Sequence, residues 1–136
     1  MSHSVLNIAN NRFTLNFSVL YTDFTAAATS EQIFAHRLPR RSFIREIRTR
    51  HRTAFAGGAI SAYDIALGTV ALPEKYTSRF DVFQAAGFTT YQLSLAFEGE
   101  TLDTPWSLYA KAWSVGANLD QAAAGACYFV VEGTII

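Results

Sequence analysis

Residues 43–55, FIREIRTRHRTAF, constrain the fold of this chain more than any other stretch. Their side chains alternate in character with a period of two, the spacing of a strand that has one buried and one solvated face. Phe43, Ile47, Thr49, His51, Thr53 and Phe55 are expected on one face, and Glu46, Arg48, Arg50 and Arg52 on the other. Residues 13–21 repeat the pattern: Phe13, Leu15, Phe17, Val19 and Tyr21 alternate with Thr14, Asn16 and Ser18.

Further strand-like runs follow at short, regular intervals, in 60–68, 79–85, 89–97, 106–115 and 126–135. Gly57-Gly58, Gly68, Gly87, Glu98-Gly99-Glu100 and the proline-bearing connections separate them. Residues 31–38 carry competing helix and strand signals, and Pro39 closes the segment in either case. No sustained helical amphipathicity appears. About eight strands of this kind predict an all-β chain: a single antiparallel β-sandwich, jelly-roll-like. Residues 1–30 are read as an N-terminal arm with the first strands, and 31–136 as the remainder of the same domain. The expected core includes Phe13, Leu15, Phe17, Val19, Ile47, Phe55, Ile65, Leu67, Leu95, Phe129 and Val131.

Charge is sparse and unevenly placed. Only 16% of the 136 residues are charged, and the formal net charge is zero, a balance that protects a surface poorly against association. Residues 1–52 hold eight basic and three acidic side chains, a balance of +5, and residues 53–136 hold the reverse. Nine of the eleven basic residues are arginine, whose planar fork suits interface ion pairs. Arg48, Arg50 and Arg52 form a stripe with a spacing of about 7 Å along one strand face. The near-neutral pI of 6.8 argues against a nucleic-acid partner. Carboxylates of a neighbouring strand, subunit or second protein are the expected contacts, with Asp64, Asp81, Glu98, Glu100 and Asp103 available in the acidic half.

Motifs of chemistry are missing. There is no phosphate-binding glycine loop, no His-Glu-x-x-His and no nucleophile elbow. His3, His36 and His51 are widely spaced, and no cofactor or metal is expected. Cys127, the lone cysteine, lies in an apolar run and reads as a buried inert thiol. Glu98 and Glu100 read as a turn tip rather than a catalytic pair. Trp106, Tyr109 and Trp113 suggest either a sugar platform or a core and interface role; on a strand, Tyr109 and Trp113 share one face and Trp106 takes the other. Trp106 and Trp113 join the arginine stripe as candidate partner-contact residues. Neither a signal-peptide pattern nor an apolar run of membrane-spanning length is present.

The order of segments carries a resemblance. Leu38-Pro39 precedes the long strand ending in Thr53-Ala54-Phe55; Gly57-Gly58, Ile65-Ala66-Leu67-Gly68, Tyr76, Phe80-Asp81 and finally Ala124-Gly125 follow. Over residues 31–132 this resembles small β-sandwich structural proteins encoded beside the head genes of tailed bacteriophages. The resemblance implies a non-enzymatic virion protein, foremost a capsid decoration or cement protein that contacts the major capsid protein or another virion protein. A homo-oligomer, trimer or dimer, is expected. A receptor- or glycan-binding module of a tail or head fibre is the alternative, and a small cupin-like enzyme a third class. No binding-site residue carries over.

Overall fold

Alternation in the sequence becomes a pair of packed sheets in the computed structural model, which describes residues 4–83, the backbone of 87–91, and residues 104–136. The strands are β1 (Ser4–Ala9), β2 (Arg12–Leu20), β3 (Ser30–Leu38), β4 (Ser42–Ala56), β5 (Ala62–Gly68), β6 (Phe80–Asp81), β7 (Gly87–Tyr91), β8 (Trp106–Val115) and β9 (Ala124–Ile135). One sheet has the order β1-β2-β9-β4-β7 and the other β3-β8-β5-β6. Every pairing is antiparallel. Without β1, four strands face four in the nested order of a jelly roll, so the fold class expected from the sequence is the one observed. Leu95, Glu98, Glu100 and Asp103 lie outside the described residues, as does most of the run expected over 89–97.

The two inner faces interdigitate around aromatic rings. On β2, Phe13, Leu15, Phe17 and Val19 are buried, and the Phe17 ring stacks on Phe129 of β9 at 5.0 Å between centroids. Phe80 meets Phe129 edge-on, and Phe55 packs against Tyr63 at 4.8 Å. Ile47, Ile65, Leu67 and Val131, also expected in the core, are buried as well. Each such side chain contributes roughly 1.5–3 kcal/mol when removed from water. Across the gap between sheets, Trp106 Nε1 donates to Ser42 Oγ at 3.0 Å, so its polar edge is satisfied within the core.

Three local expectations need correction or resolution. Phe43 is half-buried while Ser42 and Ile44 turn inward, and Thr53 is exposed. The register of β4 against β9 shifts between Ile44 and Glu46 and again between His51 and Thr53. Each bulge inserts an extra residue and reverses the phase of the alternation. Residues 31–38 form a strand; its register shift between Phe34 and His36 leaves Ala35 and Leu38 buried three apart, a spacing that imitates a helical period. Finally, β1 is joined to β2 by Asn10-Asn11, whose φ angles of 53° and 61° are those of a two-residue hairpin turn.

Two substitutions probe this packing. At Gly125, φ is +152° and an added Cβ would lie 2.4 Å from the Phe55 ring. Gly125→Ala should therefore lower stability by roughly 3 kcal/mol in urea titration, through overpacking and backbone strain together. The Tyr63 hydroxyl is buried with no hydrogen-bond partner among the described residues. Tyr63→Phe removes an unsatisfied polar group without opening a cavity, and should raise the urea midpoint, by about 1 kcal/mol in stability.

Candidate partner-contact face

The outward face of the five-stranded sheet collects the arginines. Cross-strand rows run Thr14–Glu132–Glu46, Asn16–Val130–Arg48 and Ser18–Tyr128–Arg50 across β2, β9 and β4. Arg48 Nη2 donates to Glu132 Oε1 at 2.8 Å, and its Nε lies 3.9 Å from Glu46. These side chains remain more than a third exposed, so the pair is worth no more than about 1 kcal/mol. The Arg52 guanidinium sits over the Tyr128 ring, 5.4 Å from its centroid, and Tyr128 Oη donates to Asn16 Oδ1 at 2.8 Å. Arg50 is exposed and makes no ion pair among the described residues.

Arg48 thus meets Glu132 of a neighbouring strand; of the carboxylates named from the sequence, Glu98, Glu100 and Asp103 lie outside the described residues. Asp64 and Asp81 are paired with one another in register on β5 and β6, in the other sheet, where they cannot reach the outer face of β4. Asp64 instead accepts from Arg79 Nη2 at 3.2 Å. Arg45 and Arg12 were not singled out in the sequence, yet both flank the same face. With Glu46, Glu132, Thr14 and Thr134 they line a cleft of about 620 Å³. A second concavity of about 220 Å³ is lined by Arg48, Arg50, Arg52, Tyr128 and Val130. The signal for Arg45 was present in the sequence as a break in alternation at Arg45-Glu46.

The two tryptophans separate as the strand period requires. Trp106 is only 8% exposed and packs against Tyr76 in the core. Trp113 faces outward on the four-stranded sheet, where Arg79 and Lys111 stand 4.3 and 5.2 Å from its ring centre. Tyr109 meets Phe34 edge-on at 5.8 Å on the same face. The arginine stripe and Trp113 therefore occupy opposite sides of the molecule.

Remaining titratable groups are built into the structure. Cys127 is buried, its thiol pushed up to about 12 by burial against the opposing hydrogen bond with Thr49. His36 Nδ1 is 2.9 Å from Ser4 Oγ, linking the edges of the two sheets. His51 Nε2 donates to the Thr53 carbonyl at 3.0 Å. Among the described residues, no three His, Cys, Asp or Glu side chains converge as metal ligands would.

Burial of the His51 imidazole lowers its pKa from the ordinary 6.5, against the opposing pull of the Thr53 carbonyl, Asp81 and the Val82 carbonyl. The unfolded chain then binds the proton more readily than the folded one. Stability contributed by neutral His51 is present above pH 6.5 and declines as pH falls through its lowered value. Urea midpoints should drop between pH 7.5 and pH 5, and the drop should be smaller in His51→Gln.

No known family model matches the chain, and no curated protein sequence matches it. Solved structures do share the fold. A chain of the capsid asymmetric unit of cyanophage Pam1 superposes with a TM-score of 0.59 at 16% identity, over 100% of this chain and 93% of that one. A chain of the capsid of Ralstonia phage GP4 gives a TM-score of 0.60 at 19% identity, over 97% and 89%. At such identities the likeness is one of architecture, and it covers most of each chain.

Proposed function

We propose that this chain is a non-enzymatic virion structural protein, a decoration or cement protein that stabilises a phage head. The observation that carries this reading is the end-to-end architectural match to chains of two phage capsids. The sequence resemblance to head-associated β-sandwich proteins supports it independently. A cement protein acts by burying surface across joints between capsid subunits, and stabilises the assembled state in proportion to its binding. Many symmetric copies multiply a modest contact. The major capsid protein, or another virion protein, is the partner, and Arg48, Arg50, Arg52 and Trp113 are surface residues available to it.

Self-association fits the same picture, as a dimer or, given the many three-fold positions of a capsid lattice, a trimer. The edge strand β1 contains no charge and no proline, the usual guards of an open strand edge. Val5 and Ile8 on it are 55% and 56% exposed. Ile8 pairs with the inward-facing Phe13, so it projects beneath the sheet where the opposing sheet no longer covers it. A neighbouring copy would bury both.

The receptor- or glycan-binding alternative draws little support from the aromatics. Trp106 is in the core, and cations already stand against the Trp113 ring.

Heads assembled without this protein should bind it when it is added back, and their thermal disruption midpoint should rise by several degrees, as read by light scattering and electron microscopy. Absence of binding to such heads, together with specific retention on a glycan array, would overturn the proposal in favour of the fibre-module alternative.

A further inference from the structure

We infer that the outward face of the five-stranded sheet is the capsid-contacting surface, that it seats an acidic polypeptide segment, and that Arg12, Arg45 and Arg50 are its binding cations while Arg48 is internal to the face. This deepens the decoration reading and rests on it.

The face is built for display of positive charge. Two of the three register shifts of β4 against β9, between Ile44 and Glu46 and between His51 and Thr53, leave Arg45 and Arg52 as the extra residues. The first bulge lets Arg45 join Glu46 on the solvent side, next to the stripe that regular alternation already gives to Arg48, Arg50 and Arg52. Arg12 and Arg45 line one cleft of the face and Arg50 and Arg52 the other. Against these stand two carboxylates, Glu46 and Glu132, and both are engaged by Arg48. Arg12, Arg45 and Arg50 are exposed and form no ion pair among the described residues. Elsewhere the described acidic side chains are already in use: Asp23 accepts from the Leu20 amide, Glu31 from Ala26, Asp64 from Arg79, Glu74 from the Arg79 amide, Asp81 from Phe83 and Asp120 from the Gln121 side chain. The excess cation of this face therefore calls for carboxylates from outside the described chain.

The charge pattern selects polypeptide over nucleic acid. Along the sheet, Glu46 and Glu132 lie in the Arg12–Arg45 cleft and are engaged by Arg48, while the second cleft, lined by Arg50 and Arg52, has no carboxylate in its lining. A uniformly charged phosphate chain running along the face would pass both carboxylates, whereas discrete Asp or Glu side chains can be spaced to meet Arg12, Arg45 and Arg50 individually. Base stacking is also disfavoured, because the Tyr128 ring is occupied by Arg52. The guanidinium fork binds carboxylates bidentately, which adds orientation to attraction.

The experiment measures binding of the full chain to heads assembled without it, with a 30-base-pair duplex as a second probe. An Arg45→Glu/Arg50→Glu double variant should lose at least tenfold in head affinity while keeping the wild-type circular dichroism spectrum and melting midpoint. The milder Arg45→Gln/Arg50→Gln pair should lose several-fold, and serves if the charge reversal disturbs folding. Arg37→Glu places the same kind of charge change on β3, in the other sheet, and should bind heads as the wild type does. Equal binding by the double variant overturns the inference, as does an equal loss in Arg37→Glu, which would reduce the effect to net charge. Salt-dependent micromolar binding of the duplex, lost in the double variant, would assign the face to nucleic acid instead. Wild-type protein that fails to bind heads overturns the decoration reading itself, and is thereby distinguishable from a failure confined to this face.

Discussion

The antiparallel ladder between β4 and β9, from Ser42 opposite Ile135 to Ala56 opposite Ala124, is the constraint on which the rest of the molecule depends. Strand β9 is hydrogen-bonded on its other side to β2, so it lies in the middle of the larger sheet with partners along nearly its whole length. Its inward side chains Cys127, Phe129 and Val131 meet those of β2 and β4 in the core. Its outward side chains Tyr128, Val130 and Glu132 carry the arginine face. One strand thus underlies both the hydrophobic layer and the arginine face of the larger sheet.

Glycines make that ladder possible at its most crowded points. Gly133 pairs with Phe13 and Ile44, and a Cβ there would strike the Phe43 carbonyl and the Phe13 ring. Gly125 makes similar room for Phe55. The sandwich is closed at its borders by small polar contacts, Ser4 to His36 and Trp106 to Ser42, and Ser42 in turn donates to the Pro39 carbonyl. Such contacts matter because a buried polar edge left unpaired costs more than a made hydrogen bond contributes. The core is rigid and almost wholly apolar, with its single thiol held protonated by burial.

The two sheet faces differ in how they use their cations. On the four-stranded sheet, Arg79 is committed twice, to Asp64 and to the Trp113 ring. On the five-stranded sheet, Arg48 and Arg52 are committed while Arg12, Arg45 and Arg50 remain available. An interface that must attach in one orientation benefits from this inequality, since like charge suppresses the wrong approach as effectively as opposite charge favours the right one.

Period-two alternation is enough to set the class of fold: Phe13 to Val19 and Ile47 to His51 each turn one set of side chains inward, and a strand is the conformation that buries such a set. β8 was legible to its end residues, because Trp106 and Val115 bound an unbroken alternation after Pro105. The stripe Arg48, Arg50 and Arg52 was legible for the same reason. Three things were not. The phase of Phe43 and Thr53 depended on bulges, which arise where two strands of unequal local length must pair, a property of the partner as much as of the strand itself. The assignment of Trp106 to the core and Trp113 to the surface followed from which face of β8 the opposing sheet covered. The membership of the arginine face, with Arg12 and Arg45 added and Asp64 and Asp81 removed, was decided by strand order. Local sequence dictates how a strand alternates, because that is set by the backbone of the residues themselves. Which strands lie side by side, and which carboxylate comes within reach of which arginine, is set by long-range pairing, and only the tertiary structure could decide it.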